Sequence, residues 1–260
     1  MPDTQNKSNE LMEREDWDEF WDGVNPVEYV RSLTYYDRLL LAFLSRQIRH
    51  SRPARVLELG CVYSKNLHHL PRSIDSVTQF YGLDTSLAPL NASACLFDSL
   101  RVSLTAGDFF AAPYKPGSFG LVASFGLIEH YLDPQTFLKC CLGLLEPGGI
   151  LIAGYPSYQG LTGWLQRKVN LAALEHHFSL PSGKMAAEFE RAGLIEVKSE
   201  YFGLFNPNMI GWGKGRLRRG LMFAFFAAAR PVEWLSRLVR VTSLPGSLSS
   251  YIIASGRKPD

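Results

Sequence analysis

The chain has 260 residues, 46% of them hydrophobic and 12% aromatic, with 27 Lys plus Arg against 25 Asp plus Glu. So apolar a composition excludes a disordered chain, and a domain of this length buries roughly 70–75% of its extended surface, enough for a sizeable core. The small net charge hides an asymmetry: residues 1–30 carry nine acidic and two basic side chains, residues 211–240 seven basic and one acidic.

One α/β domain with insertions fits this length. The N-terminus is acidic and lacks an apolar h-region, so no signal peptide is expected. Trp17 to Trp21 (WDEFW) interleaves aromatics with acids, which suits either a cover over a site or an edge helix with a solvated face. From Tyr29 to Arg49, apolar residues at three- and four-residue steps predict a helix, ended by Ser51 and Pro53. Strands are predicted at Arg55 to Leu59, Gln79 to Leu83, Val102 to Ala106, Phe119 to Phe125 and Ile150 to Ala153, each a short apolar run closed by Gly, Asp or a turn. Asp133-Pro134 opens a helix as N-cap and first-turn Pro, and Pro147-Gly148-Gly149 stops it. Tyr155 to Leu180 is too long for an ordinary loop and reads as a lid or substrate element. A helix at Ser182 to Ala192 and a strand at Ile195 to Phe202 follow, then a second insertion, residues 203–246, and a last strand at Ser250 to Ser255.

Cys61, Cys95, Cys140 and Cys141 have no CxxC spacing and none stands at zinc-site spacing from a His. No metal site is therefore expected, and the thiols read as reduced side chains of a cytoplasmic protein. The apolar run Gly220 to Ala229 lies between Arg219 and Arg230. It is about half the roughly 20 residues needed to cross a bilayer.

In an open α/β sheet, a ligand sits beyond the carboxyl ends of the strands. Strand one delivers Glu58-Leu59-Gly60-Cys61 into a turn whose amides can meet an anion. Strand two delivers Asp84, an acid able to accept both hydroxyls of a ribose. Strand three delivers Asp108, suited to an exocyclic amine, and Phe109, suited to cover a flat base. Strand four delivers Ser124 to His130.

VLELGC at 56–61, YGLDTS at 81–86, GDFF at 107–110, FGLVASFGLIEHYLDP at 119–134 and LEPGGILIAGYPS at 145–157 together resemble class I S-adenosylmethionine-dependent methyltransferases acting on small molecules, of the type 11/12-like group. The resemblance implies a doubly wound, Rossmann-like α/β sheet of seven strands, ordered 3-2-1-4-5-7-6 with the last antiparallel, and helical insertions. It divides the chain into an N-terminal helical segment or cover, 1–52, and a methyltransferase domain, 53–260, with a lid insertion at 155–180 and a basic helical insertion at 203–246. It implies S-adenosylmethionine as cofactor and S-adenosylhomocysteine as product. Glu58, Gly60 and Cys61 would flank the methionine part, and Asp84 with Thr85 the ribose. Asp108 and Phe109 would hold the adenine, and Ser124 and Phe125 the aminoacyl group.

One departure stands out. The family's first loop runs acid-x-Gly-x-Gly-x-Gly, and here Val62 and Ser64 replace the later glycines. A β-branched residue forced to φ > 0 is costly, so either the loop takes its own path or the cofactor binds less well. A dinucleotide site is disfavoured too, because its G-x-G-x-x-G finds Val62 and Lys65. The expected activity is methyl transfer to O or N of a small, partly apolar acceptor; the alternative is a non-catalytic binding or scaffold protein with an impaired cofactor loop. A sulfonium methyl is already activated, so placement supplies most of the rate, and a base is needed only for a hydroxyl, a protonated amine or a carbon acid. His130 and His177 are the candidates for that base, and Tyr36, Glu129, Tyr155, Tyr158, Trp164 and His176 the candidates for the acceptor pocket. Residues 214–241 combine arginines with Phe-rich apolar stretches, a pattern for either a helix covering the sheet or peripheral lipid contact. Nucleic acid is not expected as a partner: Ser124-Phe125-Gly126-Leu127 is not the Asn/Asp-Pro-Pro-aromatic loop of enzymes that methylate base amines.

Overall fold

The computed structural model of the protein describes residues 11–12, 14–74, 77–97, 100–174, 177, 180–211, 216–239 and 246–260. Strands β1 (Arg55–Leu59), β2 (Gln79–Asp84), β3 (Val102–Ala106), β4 (Phe119–Phe125), β5 (Leu145–Pro156), β6 (Ile195–Phe202) and β7 (Tyr251–Arg257) form one seven-stranded sheet, ordered β3-β2-β1-β4-β5-β7-β6. The first five pair in parallel, and β7 runs antiparallel between β5 and β6. This is the strand order that the resemblance implied. Continuous apolar runs such as β4 are buried on both faces because helices cover both.

Alternate residues of a strand feed opposite layers. Leu57, Leu59 and Val122 pack with α6 (Pro134–Leu144) and α8 (Ser182–Arg191) through Phe137, Leu138 and Phe189. Val56, Leu121 and Phe80 face the other layer, where α3 (Tyr35–Ser51) and α4 (Lys65–Ser73) contribute Leu40, Leu44, Ile48, Leu67 and Leu70.

The predicted N-terminal helix is two helices, α2 (Pro26–Arg31) and α3, preceded by α1 (Arg14–Trp21). Thr34 makes the break. Its hydroxyl accepts from the Asp37 amide while the Asp37 carboxylate accepts from the Thr34 amide, a capping box that starts a new helix despite uninterrupted apolar spacing. β5 begins at Leu145, five residues before its predicted start. α6 already ends at Leu144, and Pro147-Gly148-Gly149, expected to stop it, lies inside β5, where Gly148 takes φ 71° near a register shift between Phe119 and Leu121.

The connection after β5 holds a further helix, α7 (Gly160–Val169). Gly163 lets it lie against the Tyr158 carbonyl, where a Cβ would overlap that oxygen. The second insertion holds α9 (Arg216–Val239), whose Met222 and Phe225 pack on Leu165, Val169 and Ile210. No helix among the described residues is long and apolar enough to cross a membrane. The described cysteines are all free; Cys61 and Cys141 are buried and Cys95 is exposed.

Candidate active site

Three glycines launch the loops at the carboxyl edge of the sheet. The Gly60 amide donates to Leu83 O at 3.0 Å, Gly107 to Asp84 O at 2.9 Å and Gly126 to Gly154 O at 2.9 Å. Each loop thus stays tied to a neighbouring strand for one residue before it departs. Gly60 stands at φ 73°, which any side chain would make costly.

The first loop then folds on polar side chains. Ser64 caps α4, accepting from the Leu67 amide at 3.0 Å, and its hydroxyl donates to Glu58 Oε2 at 2.6 Å. Asn66 Nδ2 donates to Glu58 Oε1 at 2.9 Å. Glu58 is buried, and burial pushes its pKa up to about 7 against the lowering effect of those two donors. Ser64, one of the two residues standing where glycine is usual, therefore organises the loop through its hydroxyl.

Val62 is the other. It is not among the residues at positive φ; Tyr63 is, at φ 49°. The Val62 side chain is 4% exposed in the layer under α3 and α4, and its amide donates to Asp84 Oδ2 at 3.1 Å. The left-handed turn thus falls on Tyr63, whose ring packs edge-on against Trp21 at 5.2 Å and near Tyr29 at 6.4 Å. Lys65 Nζ lies 4.6 Å from the centre of the Tyr29 ring and 2.8 Å from Asp37 Oδ2. Exchanging Val62 for Gly is expected to cost about 2–4 kcal/mol of stability, from lost burial and added chain entropy. It should not tighten S-adenosylhomocysteine binding. Thermal unfolding and calorimetry check both, and tighter binding would mean that Val62 crowds the ligand.

The remaining sequence-predicted cofactor residues fall along the same edge. Asp84 accepts from Val62 and, at 2.9 Å, from the Ser86 amide. Thr85 is half-buried beside it, and Cys61 points its thiol into the core against Gly82. Asp108 is exposed and caps a short turn by accepting from the Phe110 amide at 2.9 Å. Phe109 is buried in the core, its ring 4.0 Å from that of Phe110 and 5.3 Å from Phe137. Ser124 is fully buried at the end of β4, and Phe125 is half-buried over Gly154.

A second polar group lies beyond β4. The short turn Ile128–His130 buries Glu129 and His130. The Glu129 carboxylate is 3% exposed, and burial pushes its pKa up to about 8. Four tyrosines feel its charge: Tyr36, Tyr155, Tyr158 and Tyr251 all have raised pKa values, first through burial and further through Glu129. The His130 and His177 rings are 4.8 Å apart, Tyr158 stands 5.2 Å from His177, and Trp17 of α1 packs edge-on against His130 at 4.8 Å. The structure therefore gathers Tyr36, Glu129, His130, Tyr155, Tyr158 and His177. Trp164, on α7, is 54% exposed, and His176 lies outside the described residues. Sequence reasoning passed over Tyr251. Its only signal is its place at the start of β7, paired with Pro156 and Phe202 and with its ring 4.4 Å from Tyr36.

A family model described as "Methyltransferase domain" matches residues 57–153, from within β1 through most of β5. Residues 57–153 are thus similar to a methyltransferase domain. Beyond this match, similarity to known proteins is distant. An uncharacterised 37.1 kDa protein of a Streptomyces fradiae transposon is 25% identical over 139 residues, 50% of this chain and 40% of that protein. The ubiquinone biosynthesis O-methyltransferase of Xanthomonas euvesicatoria pv. vesicatoria is 26% identical over 141 residues, 51% of this chain and 54% of that one. The chain thus spans about half the length of the curated relatives it matches. Among solved structures, phosphoethanolamine N-methyltransferase 2 of Haemonchus contortus, in complex with phosphomonomethylethanolamine and S-adenosylhomocysteine, superposes with a TM-score of 0.60 at 15% identity, covering 94% of this chain and 61% of that one. At that identity the likeness is one of fold.

Proposed function

We propose that the chain moves the methyl group of S-adenosylmethionine to an oxygen or nitrogen of a small, partly apolar acceptor. The observation that carries this reading is the pairing of two sites along one sheet edge: Asp84, poised at the end of β2 with its carboxylate tied to both flanking loops, and Glu129 among its tyrosines beyond β4. Asp84 would take the ribose, the amides after Gly60 the methionine end, and Asp108 with Phe110 or Phe109 the adenine. Glu129, His130 and His177 are the polar groups facing the acceptor, and the surrounding phenol rings give it an apolar wall. Oxygen is the favoured atom, because several curated relatives are named as O-methyltransferases. The replaced glycines, which argue for a scaffold role, weigh less once Val62 is buried and Ser64 caps α4.

We assign α1 the role of cover over this site, because Trp17 and Trp21 close on His130 and Tyr63 respectively. α9 exposes Phe223 and Trp234 beside Arg230, which suits an acceptor with a lipid-like tail or the surface of an anionic membrane. A cytoplasmic location accords with the free thiols. The test is to incubate the purified chain with methyl-labelled S-adenosylmethionine and a panel of phenols, catechols and amines, half of them carrying an isoprenoid or acyl tail. Label should appear in a tailed phenol or catechol with matching release of S-adenosylhomocysteine. No calorimetric signal with either sulfur ligand would overturn the reading.

A further inference from the structure

Glu129 raises a problem that methyl transfer alone does not explain. It is a buried carboxylate whose Oε2 has no hydrogen-bond partner among the described residues, and no Lys or Arg there forms an ion pair with it. A buried carboxyl oxygen left without a hydrogen-bond partner is costly in either protonation state. Beside it the fold brings two imidazoles from distant parts of the chain. His130 follows Glu129 in the turn after β4, and His177 returns from the connection after α7, where its amide donates to Leu174 O at 3.2 Å. One ligand atom from each of Glu129, His130 and His177 lies within 4.8 Å of the other two.

We infer that Glu129, His130 and His177 form a binding site for one divalent transition-metal cation with an open coordination position facing the acceptor. Two imidazoles and one carboxylate are a ligand set found in three-ligand zinc and iron sites, and they do not suit Mg2+ or Ca2+, which prefer all-oxygen shells. Metal–ligand bonds of about 2.0–2.2 Å set donor atoms roughly 3–3.4 Å apart, so the site closes by about an ångström on binding. Glu129 and His130 are set in the short turn after β4. Trp17 against the His130 ring and the Leu11 amide on His130 O, at 2.8 Å, hold this side of the site.

The chemistry deepens the proposed methyl transfer and rests on it. A divalent cation lowers the pKa of a bound water from 15.7 to about 7, and it acts on a bound acceptor hydroxyl in the same sense. The hydroxyl gives its proton to solvent water and the oxygen stays on the metal as an anion. A lone pair of that oxygen forms the O–C bond to the methyl as the C–S bond breaks. The C–S electron pair remains on sulfur, converting the sulfonium to the thioether of S-adenosylhomocysteine. An oxygen acceptor with a second oxygen beside it, as in a catechol, would hold the cation best.

The test uses the full chain, stripped with a chelator and dialysed separately against Zn2+, Co2+, Mn2+ and Mg2+, with bound metal measured by mass spectrometry and the Co2+ sample by visible absorption. One equivalent of Zn2+ or Co2+ is expected, with Co2+ bands typical of mixed nitrogen and oxygen ligands and little uptake of Mg2+. Loss of an outer-shell partner costs about 10–100-fold in metal affinity, so Glu129→Gln and His177→Ala, which remove ligands, should each cost more than that. Both variants should still bind S-adenosylhomocysteine, which shows that they fold. Wild-type uptake no greater than that of His177→Ala would overturn the inference. Metal uptake by a chain that binds no S-adenosylhomocysteine would support the site while overturning methyl transfer.

Discussion

Replacing Asp84 with Ala is expected to weaken S-adenosylhomocysteine binding by more than about a hundredfold, the largest loss from any single change outside the acceptor pocket. An ionised carboxylate offers about four lone-pair positions. Two are engaged by the protein, through the Val62 amide at 3.1 Å and the Ser86 amide at 2.9 Å. The Cys61 and Thr85 amides also act on it, so the two hydroxyls of a ribose would join a carboxylate already ringed by backbone donors. Each hydrogen bond to a charged group is worth about 1.5–3 kcal/mol, so losing two removes about 3–6 kcal/mol of binding. The same change unties the first loop, because the Val62 amide loses its acceptor.

An Asn at position 84 separates the two effects. Its amide keeps one oxygen to accept from a loop N–H but presents an NH2 where the second oxygen stood, so it can no longer accept from both hydroxyls. Calorimetric titration should rank wild type above Asp84→Asn and Asp84→Ala weakest. Thermal stability should fall in the Ala variant and much less in the Asn one. Equal affinity in all three proteins would remove Asp84 from the cofactor site.

How much of this was legible in the sequence depends on how far apart the contributing residues stand. β1 and β4 are buried over most of their length, and RVLEL and FGLVASF are short, mainly apolar runs that announce themselves. The candidate cofactor edge was legible for a related reason: Glu58, Gly60, Asp84 and Asp108 each sit within a residue or two of a strand end, and the topology brings strand ends together. The break before α3 was also written locally, in the Thr34 and Asp37 capping box, but apolar spacing running through Ser32 masked it. The proposed acceptor site was only partly legible. Tyr36, Glu129, Tyr158, His177 and Tyr251 come from five separate segments, and no spacing rule links them. Tyr63 illustrates the limit. Nothing local distinguishes it as the residue to take φ 49°, since its strain is offset by ring contacts with Trp21 and Tyr29 from the N-terminal segment. Val62, where family pattern places the difficulty, is ordinary because its neighbour absorbs the turn.

The second large effect concerns pH. Glu58 is protonated more readily in the folded chain, at about 7, than its ordinary value of 4.5. Between those values the folded state holds a proton that the unfolded state has released. This contribution to stability is therefore complete below about pH 4.5, falls as pH rises, and is lost above about pH 7. Its full extent is about 3 kcal/mol. Glu58→Gln is neutral throughout, and its amide can still engage Ser64 and Asn66. The variant should match wild type near pH 4.5 and melt higher above pH 7. That comparison cancels the titration of all other groups, including Asp84, whose pKa is also raised by burial. Cofactor affinity should respond in the opposite sense. If the methionine end of S-adenosylmethionine lies against this loop, its ammonium favours ionised Glu58, so wild-type affinity rises with pH through 7 and binding near pH 6 releases a proton to buffer. Glu58→Gln would flatten both responses at once. A variant that flattens only the stability curve would place Glu58 beneath the loop as structural support, with the ammonium held by the carbonyls after β4 instead.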